Sequence, residues 1–126
     1  MKNQIYTDKA PAAIGPYSQG ISANGLVFVS GQIPVDPKTG SFPEGDISVL
    51  AEQSILNLEA VLHESGCTLA DVVKTTVFLK DINDFSAMNE VYAKYFPQPC
   101  PARSAVQVAA LPKGAPLEIE AIAVKK

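Results

Sequence analysis

The side chains of this sequence that could do chemistry together are an arginine and a glutamate close to its end. Arg103 begins one strand-like run, and Glu118 stands in a second run that is apolar apart from Glu120. Arginine presents a planar fork that binds a carboxylate through two parallel hydrogen bonds. A glutamate in apolar surroundings can act as a base toward water. The pair suits hydrolysis of a small carboxylic acid, whereas the simpler interpretation of either charge alone is a solvated outer face.

Three further polar side chains, Tyr17, Ser30 and Asn89, fall at predicted loops, strand ends or helix positions. Taken singly, each suits an ordinary role in packing or at the surface. With Arg103 and Glu118 they form the candidate set that remains after other chemistries are considered.

Most other chemistries lack their residues. The one histidine, His63, lies near the end of a predicted helix, so a Ser-His-Asp or Cys-His arrangement and a histidine metal site are all incomplete. Cys67 and Cys100 are too few for a metal set or a disulfide framework. No glycine-rich phosphate loop stands between a strand and a helix. The sequence therefore predicts no metal site and no nucleotide site.

Length and composition predict one globular domain spanning residues 1–126. Hydrophobic residues make up 47% and charged residues 18%, which is too apolar for a disordered chain. The net charge of −3 disfavours binding to nucleic acid, which depends on a basic surface. Because there is no signal-peptide core and no run near the roughly 18 apolar residues of a membrane span, we expect a cytoplasmic protein without a membrane partner.

The elements that must position these residues follow from hydrophobic periodicity. Asn24-Gly25 between two strand-like runs predicts a hairpin, since both turn positions need positive φ. The fold class predicted is α+β, with one mixed sheet of about six strands and two helices on one face. The open face carries apolar side chains, which indicates burial by other copies of the chain. The predicted elements are strands at 3–7, 18–23, 26–30, 72–80, 103–110 and 117–124, a long loop at 31–45, a helix at 46–65, and a second helix that ends near 95 and has its cap residues within 81–84.

The last two strands are predicted to pair as a hairpin. A loop at 111–116 would place Glu118 opposite Ala109, with Arg103 six residues further along, roughly 20 Å away at the rise of a strand. Arg103 and Glu118 of one chain would then not meet, and a shared site would combine two subunits. In the strand at 72–80, alternation predicts Val73, Thr75, Val77 and Leu79 on one face.

Several segments resemble the RidA (YjgF) family of reactive-intermediate deaminases, and the resemblance spans nearly the whole chain in order and spacing. The segments that carry it are Ala12-Ala13-Ile14-Gly15-Pro16-Tyr17-Ser18-Gln19, Ser30-Gly31-Gln32-Ile33-Pro34, Val73-Lys74-Thr75-Thr76-Val77-Phe78-Leu79, Pro101-Ala102-Arg103-Ser104 and Leu117-Glu118-Ile119-Glu120-Ala121.

The resemblance implies a fold similar to chorismate mutase of the trimeric type, a homotrimer, and active sites in the clefts between subunits. It implies hydrolysis of 2-iminobutanoate and 2-iminopropanoate to 2-keto acids and ammonia, without a cofactor. These imines form when a pyridoxal-phosphate-dependent dehydratase acts on threonine or serine, so the resemblance also implies a functional link to such an enzyme.

Residue by residue, the resemblance implies that Arg103 holds the substrate carboxylate and that Glu118 orients the attacking water. Tyr17 matches a cleft residue close to the imine, and the remaining cleft residues match Ser30, Gly31 and Asn89. An iminium carbon is already electrophilic, so positioning and electrostatics suffice, which agrees with the absence of a nucleophile or a metal set.

One position departs from the family pattern. Many relatives carry cysteine two residues after the arginine, where this chain has Ala105. A role for that thiol is therefore in doubt, while a main-chain contact with substrate at Ala105 remains compatible. Two alternatives to the deaminase stay open: a non-catalytic trimer that binds small acids as a regulator, and an endoribonuclease or translation inhibitor, which the acidic balance disfavours.

Overall fold

The computed structural model describes residues 1–126 as one six-stranded sheet with two helices. The strands are β1 (Asn3–Ile5), β2 (Gly20–Ala23), β3 (Leu26–Gln32), β4 (Val72–Leu79), β5 (Ala102–Gln107) and β6 (Leu117–Val124); the helices are α1 (Ile47–Glu64) and α2 (Phe85–Tyr95). The strand order is β1-β2-β3-β6-β4-β5, with β4 and β5 parallel and every other neighbouring pair antiparallel. The predicted α+β class and the mixed sheet are confirmed.

Local signals place the first hairpin and α1 as the sequence predicts. Asn24 and Gly25 have φ of 52° and 77°, as a two-residue turn between β2 and β3 requires. Helix α1 begins after Asp46, whose side chain accepts hydrogen bonds from two backbone N–H groups of the first turn. It ends before Gly66, which adopts a left-handed conformation with φ of 86°.

The core lies between the two helices and one face of the sheet. Strand β6 contributes every second residue to it, because the apolar half of its alternating sequence faces the helices. The largest fully buried side chains are Phe96, Ile55, Leu58, Leu62, Leu79, Met88, Leu117 and Ile119. Neither helix has the length and apolar character needed to cross a bilayer.

The predicted closing hairpin is wrong, because β5 and β6 do not pair. Strand β5 returns beside β4 in parallel after the α2 crossover, which is the connection that parallel strands need. Strand β6 instead lies between β3 and β4. This central place suits its sequence, since Leu117, Ile119, Ala121 and Ala123 are all buried, whereas β5 is mostly exposed and occupies the edge.

The predicted face of β4 is also wrong at one residue. Val72 is buried and Val73 is exposed, because the pairing of β4 with β6 shifts register between Val72 and Lys74. A bulge of this kind reverses the alternation of side chains before it. Thr75, Val77 and Leu79 share one face of β4 as predicted, and that face is the buried one.

The face of the sheet away from the helices is open. It presents a mixture of partly exposed apolar side chains and a few polar ones, and no element of the chain packs over it. Its apolar members include Ile21, Phe28, Phe78, Val106 and Ile122.

Candidate functional site

Arg103 lies on the edge strand β5 and points toward α2. It is the register partner of the buried Thr75, so both side chains share the helix side of the sheet. Its Nη1 donates a 2.7 Å hydrogen bond to Oδ1 of Asn89. The guanidinium carbon also lies 4.8 Å from the ring centre of Tyr92 and 5.4 Å from that of Phe85. Most of its N–H donors are left for a ligand, as a carboxylate fork requires.

The spacing of residues on α2 explains this arrangement. Phe85, Asn89 and Tyr92 follow one another at four and three residues, which places them on one face of the helix. The sequence marked Asn89 as a candidate but gave no reason to single out Tyr92 as a contact of the arginine. The spacing of three residues between Asn89 and Tyr92 would have indicated this contact, but only with the knowledge that α2 packs under β5.

Glu118 lies on β6 and faces the open side of the sheet. It lines a groove of about 1000 Å³ together with Tyr17, Ser30, Gly31 and Glu120. Ser30 and Gly31 sit where the pairing of β3 with β6 breaks, a common arrangement beside functional sites.

Gly31 leaves room for the Glu118 carboxyl group. A Cβ at position 31 would lie 2.7 Å from the carboxyl carbon of Glu118 and would overlap one of its oxygens. Only glycine permits this approach, so any other residue at 31 would displace the carboxylate.

The surroundings of Glu118 make it a stronger base than an ordinary glutamate. Burial raises the pKa of the Glu118 carboxyl, and the negative charge of Glu120 raises it further. Both effects disfavour the charged form, so a carboxylate at this position accepts a proton more readily than a solvated one.

The loop that carries Tyr17 is held by the buried side chain of Gln19, a residue that its sequence context alone did not mark as functional. Gln19 is 2% exposed, and its amide nitrogen donates to the carbonyls of Thr7 at 2.9 Å and Pro11 at 2.8 Å. Its side-chain oxygen accepts from the Thr7 N–H at 2.8 Å. Tyr17 itself is half-exposed, and the Ser30 hydroxyl donates to the Ser18 carbonyl at 2.6 Å. These bonds fix one wall of the groove.

The structure therefore brings the predicted residues together in two groups rather than one. Tyr17, Ser30, Gly31 and Glu118 line the groove, while Arg103 and Asn89 form a second cluster under β5. Ala105 follows on the same face of β5 as Arg103 and packs, partly buried, against the core.

The two groups lie on opposite faces of the sheet. Arg103 pairs with the inward-facing Thr75, and Glu118 pairs with Phe78, which faces outward. Arg103 and Glu118 are offset by three residues along the strand direction and by two strands across the sheet. This offset corresponds to roughly 14 Å between the Cα atoms of Arg103 and Glu118. The hairpin register that predicted a separation of roughly 20 Å was wrong. Arg103 and Glu118 of one chain are nevertheless kept apart, because they lie on opposite faces of the sheet.

No group of three or more His, Cys, Asp or Glu side chains lies close enough together to hold a metal ion. Cys67 is buried and Cys100 exposed, and neither forms a disulfide.

Comparison with known proteins agrees with this architecture. A RutC family protein of Pyrococcus horikoshii is 54% identical over the full length of both chains. A Salmonella typhimurium protein named 2-iminobutanoate/2-iminopropanoate deaminase is 51% identical, again over all of both chains. The crystal structure of a Thermotoga maritima protein described as a candidate endoribonuclease superposes with a TM-score of 0.97 at 52% identity, covering 100% of this chain and 99% of that one.

The family model described as endoribonuclease L-PSP matches residues 7–125. That span includes every strand except β1 and both clusters of candidate residues. The chain therefore belongs to the endoribonuclease L-PSP family, which is the RidA (YjgF) family that its motifs resemble.

Proposed function

We propose that the protein hydrolyses 2-imino acids, 2-iminobutanoate and 2-iminopropanoate among them, to 2-keto acids and ammonia. The observation that carries this is the pair of clusters: an arginine whose fork is fixed but largely unpaired, and a half-buried glutamate with a raised pKa. The name of the Salmonella typhimurium relative supports the same activity.

In the proposed reaction, Arg103 binds the substrate carboxylate and Asn89 holds the guanidinium in place. Glu118 takes a proton from a water molecule as its oxygen adds to the iminium carbon. The resulting carbinolamine receives that proton on nitrogen, which restores the Glu118 carboxylate. The C–N bond then breaks and ammonia leaves, while the Glu118 carboxylate takes the proton of the carbinolamine hydroxyl as the carbonyl forms. A neighbouring subunit that covers the groove around Tyr17, Ser30 and Gly31 would limit the access of bulk water, which favours one positioned water over many.

The proposed active unit is a homotrimer, with each site in a cleft between two subunits. Two features support this: Arg103 and Glu118 of one chain lie on opposite faces of the sheet, and the open face carries apolar side chains. A neighbour covering that face would bring its own Arg103 to the Glu118 groove, and its Ala105 backbone would follow. Gel filtration should give the mass of three chains, and a monomer would contradict this arrangement.

The proposed reaction needs no cofactor, because the imine is already electrophilic. Its substrates are the products of pyridoxal-phosphate-dependent threonine and serine dehydratases, so such an enzyme is the proposed functional partner. The cytoplasm is the proposed location, and two free cysteines agree with a reducing compartment.

The test couples the protein to threonine dehydratase and follows 2-ketobutanoate formation against chemical trapping of the imine. We expect acceleration over the uncatalysed hydrolysis. A protein that binds 2-ketobutanoate but does not accelerate its formation would instead be the small-acid-binding regulator. Cleavage of RNA without consumption of imine would indicate the endoribonuclease that the family description names.

We expect the pH dependence of kcat/KM to reveal Glu118. Its carboxylate is the active form, so activity should fall toward acid with a midpoint above the ordinary value of 4.5. Glu120→Gln removes the negative neighbour and should move this midpoint to lower pH. Glu64→Gln, at the exposed C-terminal end of α1, is the matched control and should leave this midpoint unchanged. Equal shifts in both variants would contradict the assignment.

A further inference from the structure

We propose that Tyr92 is a positioning residue for Arg103, with its ring supporting the guanidinium and its hydroxyl tied to Thr75. This inference rests on the proposed function, in which Arg103 binds the substrate carboxylate. Nothing in the reaction itself requires Tyr92 to touch the substrate.

Tyr92 connects the two parallel strands at the level of Arg103. Its hydroxyl lies 2.7 Å from Oγ1 of Thr75 on β4, and its ring lies under the guanidinium of Arg103 on β5. Because Thr75 and Arg103 are paired residues on neighbouring strands, Tyr92 contacts both members of one pair. The ring therefore takes its position from the sheet that carries the arginine.

Burial keeps the tyrosine in one orientation. Tyr92 is 5% exposed and Thr75 is 1% exposed, so breaking their hydrogen bond would leave two unpaired hydroxyls in the core. The ring also stacks on Phe96, with centroids 4.2 Å apart. Burial raises the pKa of the Tyr92 phenol, which keeps the hydroxyl protonated and able to share its proton with Thr75.

An arginine fork needs this kind of support more than a point charge does. Two parallel hydrogen bonds to a carboxylate form only when the guanidinium plane has the correct tilt. The bond to Asn89 fixes one nitrogen, but rotation about that contact would still change the tilt. The aromatic face restricts that rotation while using none of the N–H donors, so the fork stays available for the substrate.

The experiment compares Tyr92→Leu with Tyr92→Phe in the imine assay and in calorimetric binding of 2-ketobutanoate. We expect Tyr92→Leu to raise KM and the ligand Kd about tenfold, with a smaller change in kcat, because carboxylate binding is lost in ground and transition states alike. Tyr92→Phe keeps the ring and should restore Kd to within about threefold of wild type. Tyr95→Leu is the matched control, since Tyr95 lies on the same helix but bonds to Glu52 on α1.

A double-mutant cycle separates positioning from general damage to the fold. In an Arg103→Ala background, Tyr92→Leu should cause no further loss of 2-ketobutanoate binding. Binding of 2-ketobutanamide, which lacks the carboxylate, should be the same in wild type and Tyr92→Leu. An equal loss from Tyr92→Leu with and without Arg103, or an equal loss from Tyr95→Leu, would overturn the inference.

The outcomes distinguish this inference from the proposed function. If Arg103→Ala binds 2-ketobutanoate as wild type does, the carboxylate clamp fails and the inference fails with it. If Arg103→Ala loses binding while Tyr92→Leu does not, only the positioning role is wrong. If the circular dichroism spectrum shows that Tyr92→Leu does not fold, Phe85→Leu and Thr75→Val are measured in its place. Each of these variants should raise the Kd for 2-ketobutanoate about threefold. An unchanged Kd in both variants would overturn the inference.

Discussion

Replacing Arg103 with alanine should lower kcat/KM for 2-iminobutanoate about a hundredfold, because the substrate carboxylate loses two charge-assisted hydrogen bonds. The side chain is partly exposed at a sheet edge, so its removal should have little effect on folding. The measurement is the coupled assay with threonine dehydratase, together with thermal unfolding of the same preparations.

Arg103→Lys is the matched control for charge. Lysine keeps the positive charge but lacks the planar fork and the flat contact with Tyr92 and Phe85, so we expect an intermediate loss of about tenfold. Full activity in Arg103→Lys would mean that charge alone suffices. Undiminished activity in Arg103→Ala would contradict the carboxylate clamp altogether.

Glu118→Gln should lower kcat by at least about a hundredfold while leaving KM nearly unchanged, because the amide keeps the shape of the side chain but cannot take a proton from water. The same substitution should not destabilise the protein. The pKa of Glu118 is raised in the folded state, so the folded protein binds this proton more strongly than the unfolded chain does, and the charged carboxylate weakens stability as pH rises through that pKa.

Removing that charge should therefore leave the melting temperature at pH 7 equal to or above that of wild type, and the difference between the two proteins should vanish at acid pH. Glu64→Gln, which is exposed on α1, should change neither kcat nor this pH dependence. A Glu118→Gln protein with full turnover would remove Glu118 as the base.

The two variants also test where the site is assembled. If each site takes Arg103 from one subunit and Glu118 from its neighbour, mixing Arg103→Ala and Glu118→Gln chains by refolding should regenerate about a quarter of the complete sites. Recovery of activity on mixing supports the intersubunit site. If both residues acted within one chain, no mixture could restore activity.

Local signals in the sequence were sufficient for most elements. Asn24-Gly25 determines its turn through positive φ, and Asp46 and Gly66 bound α1 through hydrogen bonding and backbone freedom. The sequence of β6 alternates in the same way as its burial, because a strand places neighbouring side chains on opposite faces whatever its partners are.

Pairing between distant strands was not predictable in the same way. The short connection between β5 and β6 suggested a hairpin, but β5 pairs with β4 through the α2 crossover and β6 occupies the centre of the sheet. The bulge at Val73 likewise depends on the register that β4 adopts against β6. Such choices depend on the total apolar area buried by all strands together, which no local window contains.

The sequence by itself determined which residues carry the candidate chemistry: the guanidinium of Arg103 and the carboxylate of Glu118 follow from residue type and from a motif resemblance. Only the tertiary structure decided their environments. The sheet places them on opposite faces, the face of α2 sets Tyr92 beneath Arg103, and the break in β3 brings Gly31 against Glu118. The physical reason is that pKa, orientation and access depend on neighbours that are distant in sequence and become adjacent only when the chain folds.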